Sequence, residues 1–282
     1  MTLADTTATI NGLTIGAGTT YRWVSWPEGL VETPSIRLSD RPNAGDHGII
    51  AGRDLMEGRP VSFEVWVLGP TRAEAEANSM LLLEAFAPSE LDTTLDVRLT
   101  GTPSEYRLYG RTRGCVGKLG RFVAGKLIIR CEFMATDPRL YSTTALSATT
   151  GLSTAVGGLA FPAVAPFVFG SGGTGSSMSC PNDGTLPTPW VATFTGPLVA
   201  PQLVHSGSGD DINLSGASIV AGETIVVDSA AKTVLLNGTT SRYNWLASVP
   251  NWFSLEPGVN TVTLLGASGS GSVSIAWRSA WI

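Results

Sequence analysis

Histidine is nearly absent from this chain: His47 and His205 are the only two in 282 residues. Ser39, Asp40 and Asp46 lie near His47, so a serine–histidine–aspartate arrangement can be drawn there. No Gly-x-Ser-x-Gly elbow or comparable setting accompanies it, and the chain is read as not an enzyme. Cysteine is equally scarce. Cys115, Cys131 and Cys180 are odd in number and widely spaced, with no Cys-x-x-Cys pair. That makes a disulfide framework or a zinc site unexpected and predicts three buried thiols. Lysine and arginine form no block and the net charge is −5, so the sequence offers no cationic stripe for gripping a nucleic-acid backbone. No apolar run is long enough to cross a bilayer. The most apolar window, Leu152 to Phe169, is broken by Gly157, Gly158, Pro162 and Pro166, which predicts no membrane insertion. The start, Met1-Thr2-Leu3-Ala4-Asp5, has neither a basic residue nor an apolar core, so no secretory leader is expected and the product is expected to fold in a cytoplasm. Asp183, Asp210 and Asp211 match no calcium-loop spacing and read as loop caps. Gly170 to Gly175 (GSGGTG) lacks the Gly-Lys-Ser/Thr ending of a phosphate loop and reads as a flexible loop. No cofactor is expected.

What remains is the composition of a globular β protein. Hydrophobic residues make up 43% and charged residues 15%, with 33 glycines and few helix-forming charged runs; this balance excludes wholesale disorder and favours an all-β class. Charge is unevenly spread. Residues 1–140 hold 15 of the 18 cations and 17 of the 23 anions, leaving 3 and 6 for residues 141–282. A shift that sharp marks a domain boundary. The seam falls at Ala135-Thr136-Asp137-Pro138-Arg139-Leu140-Tyr141, which gives domains 1–139 and 140–282.

In the first domain, Thr20 to Ser25 predicts a strand, and Arg41 to Gly58, with four glycines and no clean period, predicts a long loop. Val61 to Leu68 (VSFEVWVL) alternates cleanly and is the best strand in the chain. Thr71 to Phe86 is the one convincing helix: Thr71 and Glu74 form a capping box, and Pro88 lies just past its end. Strands follow at Leu95 to Leu99, Glu105 to Arg113 and Lys126 to Met134. In the last, Leu127, Ile129, Cys131 and Phe133 form one face and the opposite face is mixed. In the second domain, Ser142 to Thr154 reads as weak structure, Phe161 to Phe169 as an edge or docking segment, and Ser171 to Ser177 as a loop. Short strands are expected at Val191 to Phe194, Asp211 to Leu214, Thr224 to Asp228, Thr233 to Leu236, Asn260 to Leu265 and Ser272 to Ala276. Asn237-Gly238 turns one pair and Pro257-Gly258 opens the strand after it. Such a series suggests a sandwich or jelly roll.

The order of motifs in the second domain resembles a known family. PNDGTLPTPWVATFTGPLVAP (Pro181 to Pro201) supplies Asn-x-Gly, Thr-x-Pro and Gly-Pro. A strand–turn–LNG pair, then Pro-Gly-x-Asn and the closing SVSIAWRSAWI, complete the series. Together they resemble the distal tail proteins of long non-contractile bacteriophage tails, and ATDPRLYS resembles that family's domain junction. The resemblance implies a fold with one helix in the N-terminal half, an N-terminal β-barrel or β-sandwich domain that forms rings, and a C-terminal galectin-like β-sandwich. It implies a structural virion protein at the distal end of the tail, a homo-hexameric ring between the tail tube protein and the tail-tip proteins. DNA would pass through its channel, and a net-negative wall suits that transit.

A ring is a heterologous assembly, so each subunit needs two different complementary surfaces. The loop 41–58 and the segment Arg107 to Arg121 are the candidates, with Arg107, Arg111, Arg113 and Arg121 available to anions such as Asp40, Asp54 and Glu57. Trp245, Trp252, Trp277 and Trp281 offer a packing face or a carbohydrate face. Trp277 and Trp281, four residues apart, are expected on one side of a strand. The alternative function is a non-catalytic carbohydrate-binding module that recognises a host glycan.

Overall fold

The computed structural model describes residues 6–101, 105–117, 125–152, 175–247 and 250–282. The fold is almost entirely β, with one α-helix, as the resemblance implies. Two compact units are formed, residues 1–143 with Ile282, and residues 144–281.

Period-two alternation builds the first unit. Strand Arg59–Leu68 buries Val61, Phe63, Val65 and Val67 on one face. Strand Lys126–Ala135 pairs with it antiparallel along its full length, from Lys126↔Leu68 to Ala135↔Arg59, and buries Leu127, Ile129, Cys131 and Phe133. The sheet runs in the order Leu13–Gly16, Thr7–Ile10, Thr93–Arg98, Tyr106–Gly117, Lys126–Ala135, Arg59–Leu68, Tyr21–Trp23. Its first and last strands are neighbours in space, so the sheet nearly closes into a barrel. Closure removes the exposed edges that an open sheet would present. The helix Arg72–Ala85 begins where expected, the Thr71 hydroxyl accepting the Glu74 N–H at 3.2 Å. It lies on strands 59–68 and 126–135. Gly69 permits that approach, because a Cβ there would sit 2.4 Å from the Ala75 nitrogen. Phe86, at the helix end, meets Phe63 edge-on at 6.2 Å.

The second unit is a sandwich. One sheet has the order Leu146–Gly151, Ser272–Trp277, Trp190–Thr195, Thr224–Asp228, Thr233–Leu236, Thr240–Ser241; the other has Ser176–Asn182, Gly258–Leu265, Gln202–His205, Asp211–Asn213. Ala192, Phe194, Ile225, Val227, Val273 and Ile275 from the first sheet share one core with Met178, Cys180, Leu203, Ile212, Val262 and Leu264 from the second. At the Asn237-Gly238 turn both residues adopt positive φ, 50° and 72°, the conformation a two-residue hairpin turn requires.

Five expectations are corrected. Cys115 and Cys131 form a disulfide, and only Cys180 is a buried free thiol. The two cysteines sit directly opposite each other on adjacent antiparallel strands, with Cα atoms 4.0 Å apart; a sixteen-residue spacing conceals that register until the hairpin forms. Residues 41–58 are not a plain loop but most of a hairpin. Ser142 to Thr154 contains the strand Leu146–Gly151, whose backbone pairs with Ser272–Trp277. As an edge strand half open to solvent it shows little apolar alternation, which is why its composition concealed it. Trp277 and Trp281 are not on one strand: the first closes Ser272–Trp277 and the second lies in the separate segment Ala280–Trp281. Of the expected loop at Ser171 to Ser177, Ser176 and Ser177 open a strand. Residues 161–169 and 171–174 lie outside the described residues, as does most of Gly170 to Gly175.

Candidate functional site

The first unit carries an arm. Beyond the bridge between Glu28 and Ser62, the chain rises as a two-stranded ribbon in two short ladders, Ile36–Arg37 with Leu55–Met56 and Arg41–Pro42 with Ile49–Ile50. Between the ladders, side chains take over from strand hydrogen bonds. The Ser39 hydroxyl donates to the Arg53 carbonyl at 2.8 Å, and the Gly52 N–H donates to the Asp40 carboxylate at 2.8 Å. Gly52 is required there, since a Cβ would come within 2.3 Å of the Ser39 oxygen. Asp46 accepts the His47 backbone N–H. Ser39, Asp40 and Asp46 therefore spend their polar atoms holding the ribbon together. The arm leaves apolar side chains in solvent: Leu38 is 63% exposed, Ile49 66% and Ile50 59%.

The foot of the arm is tied by a buried arginine. Arg59 is 1% exposed. Its Nε donates to the Pro138 carbonyl at 3.0 Å, and its Nη1 donates to the carbonyls of Gly29, Leu30 and Glu32 at 3.1, 2.8 and 2.9 Å. No carboxylate among the described residues joins them, and burial lowers the pKa of the guanidinium. Sequence reading passed over Arg59, whose position at the start of the best strand carried no signal. The junction segment is tied in the same way: the Tyr141 hydroxyl and Arg139 Nη1 both donate to Asp137 Oδ2, at 2.6 and 3.1 Å. Burial and the Asp137 charge raise the pKa of Tyr141.

The candidate arginines separate into different environments. Arg107 and Asp96 are directly opposite on adjacent strands and make a two-pronged pair, 2.6 and 2.7 Å. Arg111 pairs with Asp92 at 2.8 Å. Both thus find carboxylates within their own unit, while Asp54 and Glu57 stand exposed on the arm with no ion-pair partner among the described residues. Arg113 is exposed and also has no partner among them. It sits at a β-bulge, where the register with strand 126–135 slips between Thr112 and Gly114 and Gly114 adopts φ +102°. Arg121 lies outside the described residues.

In the second unit the tryptophans are dispersed. Trp190, buried, meets Phe253 at 4.7 Å and donates its indole N–H to the Phe253 carbonyl. Trp277 is buried and donates to the Pro181 carbonyl at 2.8 Å. Trp245 and Trp252 are half-buried against the core, and Arg242 lies over the Trp245 ring at 5.3 Å. Trp281 is half-buried. His205 is buried and stacked on Phe253, with Nε2 3.0 Å from Asn260 Oδ1 and Nδ1 2.9 Å from Ser208 Oγ. An amide oxygen only accepts, so Nε2 carries the proton. Asn260 in turn donates to the carbonyls of Cys180, Glu256 and Gly258. Asn182 is buried likewise and donates to Leu186 and Leu255. The Asn-x-Gly and Pro-Gly-x-Asn motifs are therefore interior knots as well as turns. Asp210 and Asp211 serve the loop and strand around His205, the Asp211 carboxylate accepting from Gln202 at 2.7 Å. Among the described residues no group of three acidic, histidine or cysteine side chains is placed to hold a metal.

Residues 183–281 match the family model of the siphovirus-type tail component, C-terminal domain. That match spans 99 of the 282 residues, all of them within the second unit. No curated protein matches the sequence. Among solved structures, the chain is similar to the Dit protein of phage SPP1, described as a paradigm of the hub adsorption apparatus in phages infecting Gram-positive hosts. The TM-score is 0.66 at 16% identity, with 98% of this chain and 99% of that one covered. It is also similar to a chain of the phage P2 baseplate in its activated conformation with Ca, at TM-score 0.53 and 11% identity over 93% and 91%. The same baseplate with Sr gives 0.54 and 9% over 97% and 97%. At those identities the likeness is one of fold, and it extends over both units. The chain has a Dit-like fold.

Proposed function

We propose that this chain is a phage-tail component, a distal hub, six copies closing into a ring that joins the tail tube to the tail-tip apparatus and leaves a channel for DNA. The arm carries the reading. An isolated two-stranded ribbon is marginal in water, yet this one extends from the barrel with Ile36, Leu38, Ile49 and Ile50 uncovered. Apolar surface of that kind marks contact with another chain. An arm on one side of a unit, meeting a different surface on the next copy, is a heterologous contact, and such contacts close into rings when the rotation allows. The Dit-like fold and the hub and baseplate settings of the similar structures support the same conclusion. Arg113, Asp54 and Glu57, none of them paired among the described residues, are the polar candidates for that interface; Arg107 and Arg111 are already taken up by their internal pairs. The virion tail is the corresponding location. The tryptophans support packing over a glycan platform, since they are spread through the second unit instead of converging.

The test is imaging of the purified chain by negative stain, alone and after mixing with tail tubes. Rings with a central hole, or rings capping tube ends, are expected. Single two-lobed particles that never associate with one another or with tubes would contradict the proposal.

A further inference from the structure

We propose that the cleft at the foot of the arm is a carboxylate-binding site, held by Arg59 and Arg113. The cleft has a volume of about 320 Å³, and its walls include Glu28, Glu32, Arg59, Arg113, Arg130 and Glu132. Two independent observations converge on it. The first is Arg59: four carbonyls hold its Nε and Nη1, which fixes the plane of the guanidinium, while Nη2 is buried with no acceptor among the described residues. A buried charged donor without an acceptor is costly, and an anionic oxygen is the acceptor that best relieves it. The second is the bulge. It inserts Arg113 as the extra residue between Thr112 and Gly114, and bulges of this kind re-aim a side chain. Here Arg113 becomes part of the same cleft wall, without a partner.

The remaining charges do not fill the need. Arg130 engages Glu28 at 3.0 Å and Glu132 at 3.8 Å. The three arginines and three glutamates of the wall balance in charge, and neither Arg59 nor Arg113 has a carboxylate partner among the described residues. The acceptor is called for by the unmatched Nη2 and the unpaired Arg113 and not by net charge, and a carboxylate matches the planar guanidinium fork. The carboxylate comes either from an acidic side chain of a neighbouring chain or from a free small molecule. The site itself does not depend on the ring.

The probe is acetate. Phenylglyoxal modification of the full chain is followed at individual arginines by peptide mapping, with chloride as the equal-ionic-strength control. Acetate is expected to slow modification of Arg113 saturably, while leaving exposed Arg22 unaffected; equal effects at the two positions would overturn the proposal. In the Arg59→Lys variant, which keeps the charge and loses the fork, the protection of Arg113 is expected to vanish, and its persistence would also overturn the proposal. If that variant fails to fold, the wild-type comparison of Arg113 with Arg22 still decides. Protection of Arg113 in concentrated protein without acetate, lost on dilution, assigns the carboxylate to a neighbouring chain. Reactivity at every concentration, relieved only by acetate, assigns it to a free small molecule. A chain that never associates but still shows acetate protection would overturn the ring and leave the site standing.

Discussion

Arg59 and Pro138 are 79 residues apart in sequence and joined by a hydrogen bond of 3.0 Å, from the guanidinium Nε to the carbonyl. The same guanidinium holds Gly29, Leu30 and Glu32, so one side chain ties the foot of the arm to the segment that closes the first unit's chain. Replacing it with methionine preserves the apolar stem and leaves four carbonyls without their donor. We expect Arg59→Met to cost on the order of 3–5 kcal/mol in urea unfolding. Amide exchange should quicken first at residues 29–32. A loss within a few tenths of a kcal/mol would show that the tie is dispensable.

The Cys115–Cys131 bridge closes a sixteen-residue separation across one hairpin. For a loop of that length, the chain-entropy estimate is about 3 kcal/mol. The oxidised protein, denatured without reductant, should take up one equivalent of alkylating agent, at Cys180, and three after reduction. Melting in reductant should fall by several degrees, and Cys115→Ser should reproduce the fall.

Asn260 links strand 258–265 to His205 and to the carbonyls of Cys180, Glu256 and Gly258. Asn260→Ala removes all of these and leaves His205 Nε2 without its partner. A loss of roughly 3 kcal/mol is expected in chemical unfolding, with the second unit melting before the first.

Burial pushes the Cys180 thiol from its ordinary value near 9 up to about 11. The folded state therefore resists forming the thiolate that the unfolded state forms freely. The stabilisation is complete below pH 9 and is lost as pH rises from 9 towards 11, by about 2–3 kcal/mol across the window. Unfolding free energies measured at pH 8, 9 and 10 should fall with this slope in the wild type. The slope should be shallower in Cys180→Ala, which cannot titrate.

Much of the fold was legible in the sequence because its signals are local. The alternation of Val61 to Val67, the Thr71–Glu74 cap and the Asn237-Gly238 turn each act within a few residues, and each formed where its chemistry required. What escaped was set by register between distant segments. The disulfide depends on the pairing of two strands, and strand Leu146–Gly151 exists because Ser272–Trp277 offers it a ladder. The arm was hidden by its glycines and by hydrogen bonds from Ser39 and Asp40 that imitate a ladder without any apolar period. The candidate site was legible in part: Arg113, Asp54 and Glu57 were named from composition, but their separation from Arg107 and Arg111 depends on which carboxylates the sheet brings opposite.

The central claim is that the arm assembles copies of this chain. Native mass spectrometry of the wild type beside an Ile49→Ser/Ile50→Ser double variant tests it most directly, since both residues are exposed and their replacement leaves the barrel core untouched. The account predicts a closed oligomer, six chains in the ring proposed here, for the wild type, and a folded single chain for the variant. A variant that assembles as fully as the wild type, or a wild type that stays single even on tube ends, would contradict it.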